Sequence, residues 1–391
     1  MKIATKSMKS ALTDLNTLFH EAKQSQEFEF VQTLINYTGM GAKELSTNLH
    51  EWFDAIEFYK KLYITKTGKE KTRIGTLLYS TFFENSDFYN IPGSLCKNKL
   101  GYKGSSYLFW KTRRYERLLG IGEKKDFLLE LLEDAEKQNI ISFFIENHYK
   151  EIRNTFFHSA YSLSDEDYIL HDSEPIFIEG VGHSHFNVKE FLYPKIENVI
   201  QFFDTFKQTY LDSFSSYQTD KEVNALFPNP CKATILGSKD GLKGFRIKNA
   251  VEFYGKWYDS GVWYDEKYDM WAGHNIHMNF ENVETIEIRD SLTRYEKKED
   301  IKRSDLEFEN LVDKITERNN PDEIYRATHL LIKFGDVRLK KMVAETNGFK
   351  QRNFPKIILP FYRQAVEIGS TIMDMKKVKE NIKTLEDFMA S

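Results

Sequence analysis

Arg153-Asn154-Thr155-Phe156-Phe157-His158 gathers a permanent cation, an amide and an imidazole within six residues, beside two Phe that should be buried. Histidine titrates near neutrality and can take or give a proton at physiological pH. Arginine stays charged and can hold a phosphate through two parallel hydrogen bonds. Together these groups suit RNA cleavage without a metal. The base removes the proton of a 2′-hydroxyl, the oxygen attacks the adjacent phosphorus, and the cation stabilises the charge that builds on the phosphoryl oxygens. The sequence shows no aspartate cluster that would argue for a metal route.

Geometry adds a condition. On a helix, Asn154 and His158 are four apart and share a face, whereas Arg153 and His158 are five apart, roughly 140° around the axis. One helix does not aim both at one phosphate. Two copies meeting across a two-fold axis would line one cleft with two Arg and two His. No second such motif occurs in the chain, so a homodimer is expected.

The surrounding pattern is helical. Leu12, Leu15, Leu18 and Phe19 recur at spacings of three and four, and Phe28, Val31, Leu34 and Ile35 continue the rhythm up to a break at Gly39 and Gly41. Further helices are expected around Leu45–Tyr59, over 73–90 with a stop at Asn90-Ile91-Pro92-Gly93, over Asp126–Ile145, and through the motif itself. Tyr168–His171 and Pro175–Glu179 read as two short strands, followed by a loop at 180–185. Asn187 can cap a long helix carrying Phe191, Ile196, Val199, Phe203 and Tyr210.

The motif and its setting resemble the HEPN superfamily (higher eukaryotes and prokaryotes nucleotide-binding domain). Its ribonuclease members carry Arg, a polar residue, three further residues and His, at the start of a late helix in a four- or five-helix bundle; a connection and a final long helix follow. Arg153-Asn154-Thr155-Phe156-Phe157-His158 fits that pattern, and residues 1–215 show that order. The resemblance implies a metal-independent endoribonuclease with its site in a dimer-interface cleft. Arg153 and His158 would be catalytic and Asn154 supporting. It also implies an RNA substrate (transfer or messenger RNA), a role in antiviral defence or as a toxin, and an antitoxin or activator as partner. A bundle that keeps the fold without the activity would instead be an RNA-binding or protein-interaction module.

Acidic residues (59) slightly outnumber basic ones (55), so any nucleic-acid contact must come from a local basic patch. The stretch 97–117 is the candidate. Lys103, Lys111, Arg113, Arg114 and Arg117 interleave there with Tyr107, Trp110 and Tyr115, the chemistry of phosphate contact plus base stacking; a helix with one core face and one solvated face is the other reading.

Phe227-Pro228-Asn229-Pro230 marks a boundary. Beyond it, Cys231–Leu236, Phe245–Tyr254, Gly261–Tyr264, Ile276–Phe280 and Glu284–Arg289 read as short strands. From Asp300, helices return over Leu306–Ile315, Pro321–Phe334, Asp336–Thr346 and Leu359–Leu385. The expectation is a mainly α chain: a HEPN-like helical bundle with an inserted β-hairpin (1–215), a small antiparallel β region (216–299), and a C-terminal helical region packed with it (300–391), the last two forming a smaller α+β domain. Trp257, Tyr258, Trp263, Tyr264, Tyr268 and Trp271 form either a stacking surface or the core of this small sheet.

Other constellations are weaker. His274 and His277 lack a third metal ligand nearby, and His171, His183 and His185 read as a polar loop. Gly237–Gly244 lacks P-loop spacing and reads as a hairpin turn. No metal and no cofactor is expected. Two Cys far apart, no apolar segment behind the N-terminal charge and no membrane-length apolar run point to a soluble, cytoplasmic protein.

Overall fold

The computed structural model describes residues 6–36, 49–101, 119–171, 173–178, 180–226, 230–267, 270–275, 280–301, 305–346 and 348–390. The chain is mainly helical with a small antiparallel sheet region. Its described residues form two compact units, divided between Glu281 and Asn282. Among them no helix is long and apolar enough to cross a membrane.

The first unit opens with α1 (Lys6–Ser25), α2 (Glu27–Ile35), α3 (Leu49–Thr65), α4 (Gly68–Glu84), α5 (Ser86–Lys99), α6 (Ile121–Asp134), α7 (Gln138–Asn147) and α8 (Lys150–Phe157). The first apolar stripe is split at Gln26, whose extended φ of −145° interrupts the helix without breaking the buried face. The expected stop at Asn90–Gly93 is overturned. α5 runs through Pro92, and the break falls at Asn85, whose side chain accepts the Phe88 N–H at 2.9 Å and starts the helix. Pro92 is buried in that helix and, lacking an N–H, leaves no donor there to satisfy. Aromatic rings fill the space between helices. Trp52 lies 5.4–6.2 Å from Phe53, Phe82, Phe88, Phe203 and Phe206, and its indole N–H donates to the Thr81 carbonyl at 3.2 Å.

Between α8 and the last long helix the insertion is larger than one hairpin. It comprises β1 (Tyr161–Leu163), β2 (Asp167–Leu170), β3 (Ile176–Ile178), β4 (Val181–His183) and β5 (His185–Asn187). β1, β2 and β5 make a three-stranded antiparallel sheet, and β3 and β4 a separate ribbon, so the segment expected as a loop supplies two strands. Asn187 accepts the N–H groups of Lys189 (2.9 Å) and Glu190 (3.0 Å), capping a π-type turn that leads into α9 (Tyr193–Ser215).

The chain continues with β6 (Lys221–Leu226), β7 (Pro230–Ser238), β8 (Gly241–Phe253), β9 (Lys256–Asp265) and β10 (Met270–His274). They form an antiparallel meander in the order β10-β9-β8-β7-β6. β6 is not among the expected strands; pairing with β7 gives it order that its sequence does not advertise. The sheet does not stand apart from the helices. Val223, Ala233, Ile235, Leu242, Phe245 and Val262 join the same buried core, with Phe28 of α2 edge-on to Phe245 at 5.0 Å. The expected boundary at 215 is therefore not a boundary between cores. Gly244, at φ +129°, lets the strands close up; a Cβ there would sit 2.1 Å from the Val262 carbonyl oxygen.

The second unit holds α10 (Phe280–Lys297, beginning at the divide), α11 (Leu306–Arg318), α12 (Pro321–Ala344), α13 (Gly348–Asn353), α14 (Pro355–Gly369) and α15 (Lys376–Ala390). Glu284–Arg289 is helix, not strand: Ile288, Leu292 and Tyr295 continue at helical spacing and are fully buried. Pro321 does open a helix, behind the Asn320 side chain that accepts from Asp322 N–H at 3.0 Å. That helix runs on past Gly335, where a Cβ would sit 2.6 Å from the Tyr362 ring: this glycine serves close helix approach, not a break. Arg294 and Glu307 form a buried ion pair at 2.5 Å.

Candidate functional site

α8 is a short helix with opposite faces. Ile152 and Thr155 are buried, while Arg153, Asn154, Phe157 and the following His158 lie toward solvent. Its entry is fixed by the buried Tyr79 hydroxyl, which donates to the Asn147 carbonyl at 2.7 Å and accepts the Tyr149 N–H at 2.7 Å. One phenol thus satisfies both backbone groups of the α7–α8 joint.

The motif sits at the C-terminal half of the helix, not at its start. His158 is the C-cap, with its N–H on the Asn154 carbonyl at 3.0 Å. Ser159 follows at φ +55°, its N–H reaching Phe156 O (3.2 Å) while Ala160 N–H reaches Thr155 O (2.8 Å). These two bonds make a Schellman ending, with serine in the left-handed position that glycine usually fills. The chain turns away there, so His158 stands at the helix end. Its imidazole is exposed and makes no hydrogen bond or ion pair among the described residues.

Arg153 is engaged. Its Nε meets a Glu84 carboxylate oxygen at the end of α4, a close contact without hydrogen-bond alignment. Its Nη1 donates to Asn154 Oδ1 at 2.8 Å, and its guanidinium carbon lies 5.9 Å from the centre of the Phe157 ring. Both ion-pair side chains are about a third exposed (35% and 31%), so solvent screens the pair and its role is orientation more than stability. Nη2 makes no hydrogen bond among the described residues and remains available to an anion. The structure thus joins Arg153 to Asn154, adds Glu84, and gives Arg153 no hydrogen bond or ion pair to His158.

A second histidine, His148, belongs to this neighbourhood. It ends α7, edge-on to Phe83 at 4.8 Å. Burial pushes its imidazole from the ordinary 6.5 down to about 4, and the Lys125 and Arg153 charges add to the effect. It is neutral at neutral pH. As pH falls below 6.5 the unfolded chain protonates this residue and the folded chain does not, so stability is lost between pH 6.5 and 4. Discounted for partial exposure, the loss is about 2 kcal/mol. His148→Phe is expected to remove that part of the pH dependence in urea-midpoint measurements; identical slopes for parent and variant would refute it.

The inserted strands pack on α8 through a ladder of rings. Phe156–Tyr161 (5.7 Å), Tyr161–Tyr168 (5.0 Å) and Tyr168–Phe186 (5.2 Å) are stacked, and Phe191 follows at 4.9 Å. Each such contact contributes about 1 kcal/mol beyond burial. The opposite face of this sheet carries Ser162, Ile169 and His185 in register, all exposed, with Ser162 Oγ 2.7 Å from His171 Nε2. The β3–β4 ribbon exposes Phe177 and Val181.

Glu84 and Tyr79 escaped the sequence reading because nothing in their spacing links them to α8; His148 lies two residues ahead of α8, but only the fold shows that it is packed against Phe83. Lys103, Lys111, Arg113, Arg114 and Arg117 lie outside the described residues, as does His277. His274 stacks face to face on Trp263 at 3.6 Å, and burial lowers its pKa. Among the described residues no His, Cys, Asp and Glu side chains cluster in a way that could hold a metal ion. Comparison with protein-family models, with curated proteins and with solved structures returned no match.

Proposed function

We propose that this chain is a metal-independent endoribonuclease of HEPN type, acting in the cytoplasm as an antiviral or toxin effector. Its site would be completed by a second copy of the chain across a dimer interface. The observation that carries the reading is the division of labour on α8: an unengaged imidazole at the helix end, and one turn earlier an arginine oriented by two partners with one Nη free. In this reading the helical part of the first unit is a HEPN-like bundle whose insertion carries five short strands. His158 takes the 2′-hydroxyl proton, the 2′-oxygen bonds to phosphorus as the bond to the 5′-oxygen breaks, and the 5′-oxygen takes a proton from solvent while His158 returns its own to solvent. The products are a 2′,3′-cyclic phosphate and a free 5′-hydroxyl. Arg153 holds the phosphoryl oxygens, and Asn154 keeps the guanidinium in plane. The deciding assay is cleavage of RNA in EDTA by wild type and His158→Ala.

Glu84 is a positioning residue in this scheme. Glu84→Gln keeps its shape but loses the charge that orients Arg153. A fall in kcat of about tenfold is expected, with KM little changed, because the loss is felt where charge develops. A raised KM with intact kcat would assign Glu84 to substrate binding instead. A second reading has its own support. The carboxylate already paired with Arg153 competes with any phosphate, as suits a non-catalytic protein-interaction module.

A further inference from the structure

The β8–β9 hairpin outgrows its sheet. β7 pairs with β8 only as far as Arg246, and β10 pairs with β9 only as far as Gly261. Past those points the two strands pair with each other alone, through Ile247↔Ser260, Val251↔Tyr258, Glu252↔Trp257 and Phe253↔Lys256. The base of this arm is packed: Ile247, Val251 and Ser260 are buried. Its tip is not. Tyr254 is 91% exposed, Trp257 59% and Tyr258 42%.

The turn itself is unusual. Tyr254 (φ +49°) and Gly255 (φ +74°) are the two central residues, both in the left-handed region. Two-residue hairpin turns of this kind favour Asn-Gly, Asp-Gly or Gly-Gly, because a side chain at positive φ is strained. A tyrosine there is held against its backbone preference and gains almost no burial. Strain kept at an exposed ring is a signature of a contact surface.

We infer that this arm is a stacking surface for unpaired bases of RNA, a contact remote in sequence from α8 that would favour single-stranded segments in the substrate. The inference rests on the ribonuclease reading above. Three observations favour RNA over a protein partner. Trp257 and Tyr258 stand on opposite faces of the ribbon, so these two rings can each take a base separately. Lys248 and Lys256 are exposed and in no ion pair among the described residues, whereas the nearby Asp259 is occupied by the Asn249 N–H (3.1 Å) and by Arg246 (3.8 Å). Among the described residues no aliphatic side chain of the arm joins the exposed rings, as it would in a protein-binding patch, and Glu252, opposite Trp257, is an exposed anion without an ion pair.

The test uses the full chain carrying His158→Ala, in EDTA, so that bound RNA is not cut. Fluorescence anisotropy of a labelled oligouridylate is compared with that of the same strand annealed to its complement. Trp257→Ala is expected to weaken single-strand binding by about tenfold and leave duplex binding unchanged; Trp257→Phe retains most of the affinity. Replacing Lys248 and Lys256 by Ala is expected to flatten the salt dependence. Equal single-strand affinity in the parent and in the Trp257→Ala and Tyr258→Ala variants overturns the arm while leaving the α8 site standing. Wild-type protein that neither binds nor cuts RNA overturns both. Because Trp257 is exposed, circular dichroism confirms that the variants are folded.

Discussion

Substituting His158 by Ala is expected to reduce EDTA-resistant RNA cleavage by about 10²- to 10⁴-fold, the range for losing a general acid–base group. The side chain is exposed and unengaged at a helix end, so the fold should tolerate the change and the loss can be read as chemistry. The result should appear in kcat as well as in kcat/KM. Mixing carries the dimer claim further. If the cleft is shared, mixtures of Arg153→Ala and His158→Ala chains form mixed dimers that still hold one intact Arg and one intact His, and partial cleavage should return. Cleavage indifferent to His158→Ala would remove α8 from the chemistry altogether.

The second large effect lies in the other unit. Arg294 and Glu307 are only 11% and 10% exposed and meet at 2.5 Å, with the Glu307 charge the main influence raising the Arg294 pKa against its burial. Removing one partner strands the other charge away from water. Glu307→Ala is therefore expected to destabilise this unit by about 3–5 kcal/mol, read as a lowered denaturant midpoint. Replacing both, as Arg294→Met with Glu307→Leu, should restore most of that loss, because neither desolvation cost remains. A double variant no better than the single would mean that the pair is worth more than its desolvation.

Sequence reading served best where one local rule decides the outcome. The buried stripes of α1, α2 and α9 follow from spacings of three and four, the Asn187 cap follows from one side chain meeting nearby N–H groups, and Pro321 opens its helix as its fixed φ favours. It failed where a residue answers to the tertiary structure. Pro92 looks like a stop, yet it lies within a helix that the Asn85 cap had already started. Gly335 looks like a break, yet it makes room for Tyr362. The β-branched residues of Thr285-Ile286-Glu287-Ile288 suggest a strand, yet helical spacing to Leu292 and Tyr295 wins because it buries all three. At the site, Arg153, Asn154 and His158 were legible as a motif. The Glu84 that orients the arginine is 69 residues away in sequence, and no local pattern could supply it.

The ladder of rings from Phe156 to Phe191 has an optical consequence. Four of its members are stacked or nearly parallel in sequence, and Phe156 and the Thr155 that touches the Tyr168 hydroxyl (3.2 Å) lie between Arg153 and His158 in the chain. Tyrosines held in fixed mutual orientation give near-ultraviolet dichroism that vanishes when the orientation is lost. A tilt of α8 that accompanies occupancy of the site would re-set the Tyr161–Tyr168 pair, so the chain carries its own chromophore for binding beside the residues that would do the chemistry.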